Sequence, residues 1–208
     1  GAAKPGEVLA MTFTNKAAAE MEGRVASMLG GNRLPRMGTF HSVCLWLLRR
    51  EASRLGLRDG FSIYDRDDQK SLVRKILRGL GGASGVTVSA ALSWISTMKN
   101  CDYGDESAGE GAAPPPHEIM ETVFQAYRRA LEENGALDFD DILTYARRAL
   151  CQNDDIGSYY RRRFTRILVD EYQDTNPVQH RILRALTGEG SRVTVVGDDD
   201  QAIYGWRG

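Results

Sequence analysis

Two adjacent carboxylates follow a short apolar run in the last quarter of the chain. Residues 167–169 are Ile, Leu and Val, and Asp170 and Glu171 come directly after them. A buried parallel strand with this pattern delivers its acids to the rim of an α/β sheet, where ligands bind. One acid there can hold Mg²⁺, and its neighbour can orient or deprotonate a water for attack on a phosphoryl group. Acids after a strand are also commonly solvated turn residues, so the pair alone leaves both interpretations open.

The same pattern returns further along the chain. Residues 193–196 form a second apolar run, and residues 197–201 read GDDDQ, so that Gln201 follows three consecutive acids. Two aromatics and an arginine come next, at Tyr204, Trp206 and Arg207. Acids, an amide and aromatics after two neighbouring strands predict nucleotide chemistry beside a surface on which bases can stack.

Longer strings around these residues resemble a known family. Residues 170–176 (DEYQDTN) resemble motif II of the UvrD/Rep/PcrA-like superfamily-one DNA helicases, and residues 196–208 (VGDDDQAIYGWRG) resemble their motif III. Residues 12–18 (TFTNKAA) resemble motif Ia, and residues 38–42 (GTFHS) resemble motif Ib. Residues 137–142 (LDFDDI) resemble a family string found upstream of motif II. The motif matches run from near the first residue to the last and keep the family's order.

The resemblance implies ATP and Mg²⁺ as cofactors and gives three residues catalytic and nucleotide-binding roles. Asp170 corresponds to the carboxylate associated with Mg²⁺, and Glu171 corresponds to the acid that activates the attacking water. Gln201 corresponds to the motif III glutamine that contacts the γ-phosphate. For Gln201 the alternative interpretation is a polar cap after a strand.

The resemblance also implies a track for single-stranded DNA. Trp206 corresponds to the family's base-stacking residue, and stacking of this kind tolerates any base sequence. The alternatives are that the aromatic residues belong to the core and that the polar residues only cap helices. The expected DNA-binding residues are Phe13, Thr14, Asn15, Thr39, Phe40, His41, Tyr204, Trp206 and Arg207.

A phosphate loop of the form GxxxxGK(S/T), the Walker A motif, does not occur in the sequence. In the family this loop lies shortly upstream of motif Ia, so we interpret the chain as an internal fragment of a larger helicase. The resemblance implies that the parent protein moves along single-stranded DNA, 3′ to 5′, and separates strands at duplex junctions. We expect the fragment alone to hydrolyse ATP negligibly. The alternative function is a non-catalytic module, derived from a helicase, that binds DNA or a protein partner such as a repair or replication protein.

Composition sets wide bounds. The chain has 208 residues, of which 42% are hydrophobic and 26% are charged, and this composition is ordinary for a globular protein. Its net charge of −1 gives no evidence that the chain as a whole binds nucleic acid. The sequence contains no apolar run long enough for a membrane span, and its three cysteines form no metal-binding pattern, so we expect an intracellular protein. We interpret the arginine clusters, which include Arg49–Arg50 and 161–163, as solvated helix faces.

The elements that must position these residues lie at the two ends of the chain. Strands are expected near residues 8–13 and 36–40 and in the two apolar runs, with only helices between the two pairs. This pattern predicts an α/β fold with a parallel sheet flanked by helices and an inserted all-helical subdomain. The resemblance implies that the sheet is RecA-like, a P-loop NTPase fold that lacks its P-loop strand. The expected domains are residues 1–64 and 137–208 for the sheet and residues 65–136 for the insertion. Asp138, Asp140 and Asp141 are expected at helix-cap and surface positions.

Overall fold

The computed structural model describes residues 3–81, 85–100, 118–198 and 200. The predicted surface loop at residues 101–116 lies outside the described residues, as do four of the predicted site residues: Gln201, Tyr204, Trp206 and Arg207.

Four parallel strands form the main sheet. They are β1 (Val8–Thr12), β2 (Arg36–Thr39), β5 (Arg166–Val169) and β6 (Arg192–Val195), in the spatial order β2-β1-β5-β6. The pairs β1–β2, β1–β5 and β5–β6 are all parallel, so the four strands run in the same direction. Met11 of β1 is aligned with Gly38 of β2 and with Val169 of β5. Their carboxyl ends therefore share one edge of the sheet. This arrangement confirms the predicted α/β fold with a parallel sheet flanked by helices.

Eight α-helices, three short 3₁₀ helices and a second, two-stranded sheet complete the regular structure of the described residues. In the second sheet β3 (Ser62–Ile63) pairs in parallel with β4 (Ala136–Leu137). The prediction of only helices between the terminal strands is therefore wrong, because it missed this short pair of strands. A strand of two residues is too short to show an alternating pattern in the sequence. The helices are α1 (Asn15–Leu29), α2 (Phe40–Glu51), α3 (Arg66–Gly79), α4 (Val88–Asn100), α5 (Glu118–Asn134), α6 (Phe139–Gln152), α7 (Asp154–Arg163) and α8 (Pro177–Leu186).

Side-chain caps fix where the helices that follow the strands begin. The Thr14 hydroxyl accepts a hydrogen bond from the Ala17 amide at 3.1 Å and so caps α1, as one of the two predicted caps. An Asn followed by Pro predicts a helix start, a cap and then the first helical residue, and the Asn176 side chain does cap α8, with Pro177 as its first residue. The sequence predicts a helix over about residues 44–55, but α2 begins four residues earlier, at Phe40, because Thr39 caps it directly at the end of β2.

The chain divides into two compact units. The first consists of residues 1–51 and 145–208 and holds the four-stranded sheet. The second consists of residues 52–144 and holds α3, α4 and α5 together with the two-stranded sheet. The predicted insertion, residues 65–136, lies within this second unit.

The second unit has its own apolar core. Val73 and Leu77 of α3 are buried against one another and against α4 and α5, since all three helices carry an apolar stripe at helical spacing. Among the other buried members of this core are Leu92, Ile95, Met98, Val123, Phe124, Tyr127 and Leu131.

Candidate nucleotide and nucleic-acid site

The carboxyl edge of the main sheet gathers the described residues that the sequence singled out. Phe13, Thr14 and Asn15 follow β1, and Phe40 and His41 follow Thr39 at the end of β2. Asp170 and Glu171 follow β5, and Asp198 lies shortly after β6. Four segments that are distant in sequence therefore end at one edge of a parallel sheet, where open α/β folds bind their ligands.

Asp170 is held in place by its backbone. Its amide donates a hydrogen bond to the Met11 carbonyl oxygen at 2.9 Å, which extends the pairing of β5 with β1 past the end of the strand. The side chain of Asp170 is exposed. A carboxylate that is fixed at its backbone and open to solvent can contribute an oxygen ligand to a hydrated cation.

Glu171 has an unusual backbone. Its φ of 55° and ψ of 44° place it in the left-handed region, and among the described residues no other non-glycine residue has a positive φ. This conformation costs an L-residue roughly 1–2 kcal/mol, and such strain is concentrated at functional sites. The Tyr172 amide, which follows, donates to the Val196 carbonyl oxygen at 2.9 Å, so the turn is tied to the end of β6.

Gln173 connects the two acidic segments. Its Nε2 donates to Glu171 Oε2 at 2.6 Å, and its Oε1 accepts from the Asp198 amide at 3.0 Å. Gly197 makes this bridge possible, because a Cβ at that position would lie 2.7 Å from Gln173 Oε1. The carboxylate of Glu171 is thus oriented by an amide whose other end is held by the segment after β6.

Gln173 and Gly197 are functional candidates that sequence reasoning missed, although both lie inside the motif strings. A third is Thr12, which is 1% exposed and whose hydroxyl has no hydrogen-bond partner among the described residues. A buried polar group without a partner is uncommon and marks a position where a ligand, water or ion can complete the bonding. The sequence feature that could have identified Thr12 is its position as the last residue of a buried strand.

The structure favours structural roles for several predicted DNA-binding residues. The hydroxyls of Thr14 and Thr39 accept helix-capping bonds, and Phe40 is only 2% exposed. Gly38 is needed before Thr39, because a Cβ there would collide with the Ser42 hydroxyl. The DNA roles of these residues stay predictions.

Four predicted DNA-binding residues at this edge are accessible. Thr14 and Asn15 are exposed, and Phe13 and His41 are partly exposed. Burial lowers the pKa of His41, which favours its neutral imidazole at neutral pH. A neutral imidazole can both donate and accept a hydrogen bond, but it adds no charge for a phosphate.

The donor set at this edge fits Mg²⁺. No group of three or more His, Cys, Asp or Glu side chains with metal-binding geometry occurs among the described residues. Mg²⁺ does not require one, since it keeps several waters and commonly takes one or two carboxylates together with substrate phosphates. Asp170 and Glu171 provide hard oxygen ligands of that type, and Asp170 is the exposed one.

The edge of the sheet at β6 exposes apolar side chains. Among the described strands β6 pairs only with β5, and both of its faces are open. Val195 is 48% exposed and Val196 is 59% exposed, and Leu168 of β5 is exposed as well. An open strand edge and exposed apolar side chains of this kind mark a surface on which another strand or a protein segment can pack.

The fold and the site together define a RecA-like parallel α/β domain, consistent with the motor domain of a helicase. The model of the UvrD/REP helicase N-terminal domain family matches residues 1–208, and the chain belongs to this family. Proteins named ATP-dependent DNA helicase PcrA from Staphylococcus epidermidis and Staphylococcus aureus are each 39% identical over 206 residues. These matches cover 98% of this chain but 28% of each relative, so the chain spans less than a third of their length. None of the described helices has the length and apolarity that crossing a membrane requires.

Proposed function

We propose that this chain is part of the first motor domain of a longer ATP-dependent DNA helicase, which couples ATP hydrolysis to movement along single-stranded DNA. The observation that supports this most directly is the strained Glu171, whose carboxylate is oriented through Gln173 by the segment after β6. Family membership and two relatives named as ATP-dependent DNA helicases support the reaction class.

In this proposal Glu171 orients the attacking water and accepts its proton or hydrogen bond as charge builds on the phosphoryl group. Its left-handed backbone turns the side chain away from the path of the strand, and Gln173 holds one carboxylate oxygen. The other oxygen is then the one available to a water. Asp170 would hold Mg²⁺, and a bound Mg²⁺ supplies neutralisation of phosphate charge.

The segment after β6 would sense the state of the nucleotide. Gln201, which we propose contacts the γ-phosphate, comes three residues after Asp198, and the Asp198 amide is bonded to Gln173. A contact made by Gln201 can therefore reach Glu171 through two hydrogen bonds. This connection would allow a change at the phosphate to alter the geometry of the catalytic acid and of the proposed stacking residues Tyr204 and Trp206.

The proposed DNA track runs along the same edge. Asn15 offers an exposed amide, and Phe13 a partly exposed ring, for the backbone and bases of a single strand. His41, Thr14, Thr39 and Phe40 complete the proposed track on this side. Arg207 would pair with the DNA backbone or with the acids of motif II.

Several finer features belong to this proposal for the whole protein. We propose 3′-to-5′ movement, strand separation at junctions of duplex and single strand, an intracellular location, and repair or replication proteins as possible partners. The alternative is a non-catalytic module that binds DNA or a protein. The intact Asp170, Glu171 and Gln201 favour the enzyme, because a module without hydrolysis has no physical need for them.

The test is ATP hydrolysis with Mg²⁺, with and without single-stranded DNA, by the 208-residue chain and by the full-length protein that carries this sequence. We expect hydrolysis by the full-length protein that is stimulated by DNA, and negligible hydrolysis by the chain alone, because no phosphate loop cradles the phosphates. Glu171→Gln should lower the kcat of the full-length protein by 10²-fold or more, since general-base catalysis contributes on the order of 10²–10⁴-fold.

The matched control is Glu189→Gln, which makes the same chemical change at an exposed position after α8. DNA binding without hydrolysis by the full-length protein would favour the non-catalytic module. Steady hydrolysis by the isolated chain that disappears in Glu171→Gln would show that other residues build the phosphate cradle, and the account of this chain's inactivity would be wrong.

A further inference from the structure

Three arginines surround one tryptophan in the first unit. Arg36, Arg50 and Arg163 place their guanidinium carbons 4.4, 5.9 and 5.3 Å from the centroid of the Trp46 ring. Tyr159 lies against the same group, with its ring 5.3 Å from the guanidinium carbon of Arg50. We call these five residues the arginine–tryptophan cluster.

The cluster lies at the amino edge of the sheet, away from the acidic site. Arg36 is the first residue of β2, and Arg163 ends α7 just before β5 begins. Arg50 is near the end of α2, which starts at the carboxyl edge after Thr39 and runs back toward the strand starts, as a helix following a parallel strand must. The cluster is therefore separate from the candidate nucleotide site.

Tyr159 shows a hydrogen-bonding arrangement suited to an anion. Its hydroxyl oxygen accepts from Arg50 at 2.9 Å and from Arg163 at 3.1 Å. Two cationic donors thus occupy the acceptor side of one phenolic oxygen, and its own O–H is left to donate. No acceptor for that O–H occurs among the described residues, so an oxyanion placed beside it would meet one hydroxyl donor and two guanidinium groups.

The charges of the cluster are only partly balanced. Glu51 lies 3.6 Å from Arg50, but this buried carboxylate also accepts from the Tyr160 hydroxyl at 2.9 Å. Arg36 Nε is buried without a hydrogen-bond partner among the described residues. Burial and then the charge of Arg163 lower the pKa of Arg36, and the charge of Glu22 opposes this.

One arginine stacked on an indole is common and favourable packing, but three arginines around one ring repel one another. An external anion would relieve that repulsion. Guanidinium groups held on an aromatic ring are pre-oriented, so less entropy is lost when they bind the paired oxygens of a phosphate.

We propose that the arginine–tryptophan cluster is a second DNA contact, which binds phosphate groups of the DNA backbone at the amino edge of the sheet. The inference rests on the proposed function, since a protein that moves on DNA supplies the polyanion. The Trp46 ring is covered by guanidinium groups, so it orients the arginines and does not stack bases. The contact is therefore independent of base sequence and adds to affinity through charge.

The test is DNA binding by the full-length protein that carries this sequence, measured by fluorescence anisotropy with a tailed duplex over 50–300 mM salt. Arg50→Gln/Arg163→Gln should raise the Kd about 25- to 60-fold at 0.1 M salt, because each lost phosphate contact removes about 0.7–0.9 from the slope of log K against log salt. That slope should fall by about 1.5. Tyr159→Phe, which keeps the ring, should raise the Kd a few-fold.

Arg74→Gln/Arg129→Gln is the matched control, since it removes two exposed arginines of the other unit with the same change in charge. Thermal melts by circular dichroism show whether each variant is folded. If the double variant does not fold, Tyr159→Phe still tests the proposal. Equal losses of affinity in the control would overturn the proposal, because they would report net charge alone. Wild-type affinity and slope in Tyr159→Phe and in a folded double variant would also overturn it.

A final comparison distinguishes failure of the second DNA contact from failure of the proposed helicase function. DNA-stimulated ATP hydrolysis by the wild-type protein, with no effect of the cluster variants on binding, would remove the second contact and leave the helicase assignment intact. Absence of any DNA binding or hydrolysis by the wild type would remove both. If the variants keep their DNA affinity but lose binding to a polyglutamate peptide, the cluster is a site for an acidic protein segment and the DNA proposal is wrong.

Discussion

Removing the buried amine of Lys99 should destabilise the second unit. Lys99 Nζ lies 2.7 Å from Asp138 Oδ2 and 2.8 Å from Asp141 Oδ1, and the side chains of Lys99 and Asp138 are 5% and 1% exposed. The Tyr127 hydroxyl also donates to Asp138 Oδ2, at 2.9 Å. This network connects α4, α5 and the start of α6, so Lys99→Met would leave two buried carboxylates without their cation.

The expected cost follows from burial. Breaking a buried ion pair by removing one partner typically costs about 3–5 kcal/mol, because the remaining charge stays desolvated. Folded domains are stable by only about 5–15 kcal/mol, so this loss is a large fraction of the total. Lys75→Met, at an exposed position on α3, should cost less than about 0.5 kcal/mol.

The loss should depend on pH. Burial raises the pKa of Asp141 to about 6, and the charge of Lys99 opposes that rise. In Lys99→Met the pKa of Asp141 should therefore be higher still. A carboxyl group whose folded-state pKa is raised loses stability as pH rises from its unfolded pKa, about 3.9, through the folded value. The variant should accordingly regain more stability than the wild type as pH falls from 7 toward 4, by about 1.4 kcal/mol for each unit by which the substitution raises the pKa of Asp141.

In the wild type the amine should stay charged throughout that range. Burial favours its neutral form, but Asp141 and Asp138 outweigh burial and raise the pKa of Lys99. A raised amine pKa stabilises the fold below the unfolded value of 10.5, and this contribution is lost only as pH rises through the folded value. The wild type should therefore show only the smaller gain between pH 7 and pH 4 that the raised pKa of its own Asp141 produces.

Hydrogen exchange read by mass spectrometry can measure this locally, in peptides from α4, α5 and α6, at several pH values with rates corrected for intrinsic exchange. We expect protection in these helices to fall by two or more orders of magnitude at pH 7 in Lys99→Met, and to recover partly near pH 5. A loss below about 1 kcal/mol at pH 7, or a loss that does not vary with pH, would refute the claim that unpaired buried carboxylates cause it.

Two further predictions concern the first unit. Gly197→Ala should lower DNA-stimulated ATP hydrolysis of the full-length protein about tenfold or more, with little change in its melting temperature. The reason is that the Cβ of the new alanine would displace Gln173 from Glu171. Wild-type activity in this variant would show that the Gln173 bridge does not orient the acid. Cys44, whose pKa burial raises to about 12, should resist thiol alkylation in the folded chain, whereas the exposed Cys151 should react, as mass spectrometry of labelled peptides can establish.

The sequence predicted the main sheet because its strands and caps are local signals. The apolar runs before Phe13 and before Asp170 became β1 and β5, and Thr14 and the Asn176–Pro177 pair became helix starts. Parallel strands must bring their carboxyl ends to one edge, so the gathering of the motifs followed from the topology alone. The predicted start of α2 was wrong, because Thr39 can cap a helix directly at the end of β2.

Tertiary contacts explain what the sequence did not reveal. Asp138 caps α6, as predicted, but Asp138 and Asp141 are buried and not at the surface, because Lys99 reaches them from a helix almost 40 residues earlier. Likewise Arg50 and Arg163 are more than a solvated helix face, since both contact Trp46. No periodicity in one segment can predict a partner in another.

The net charge of −1 conceals a separation of charge across the sheet. The carboxyl edge carries Asp170, Glu171 and Asp198, and acids so placed would repel a nucleotide unless a cation joins it. This electrostatic argument supports the proposal that Mg²⁺ binds at that edge. At the amino edge three of the four strands begin with arginine, at Arg36, Arg166 and Arg192.

This separation constrains how the chain can hold DNA. If the proposed track lies at the acidic edge, DNA phosphates there would be bound mainly by neutral donors such as the Asn15 amide and backbone N–H groups, which give position with little charge attraction. Strong, salt-dependent attraction has to come from elsewhere in the protein. Within the first unit the arginines of the amino edge are a concentrated source of it, so the salt dependence of DNA binding should respond to Arg50 and Arg163 far more than to Asn15 and the other uncharged residues of the proposed track.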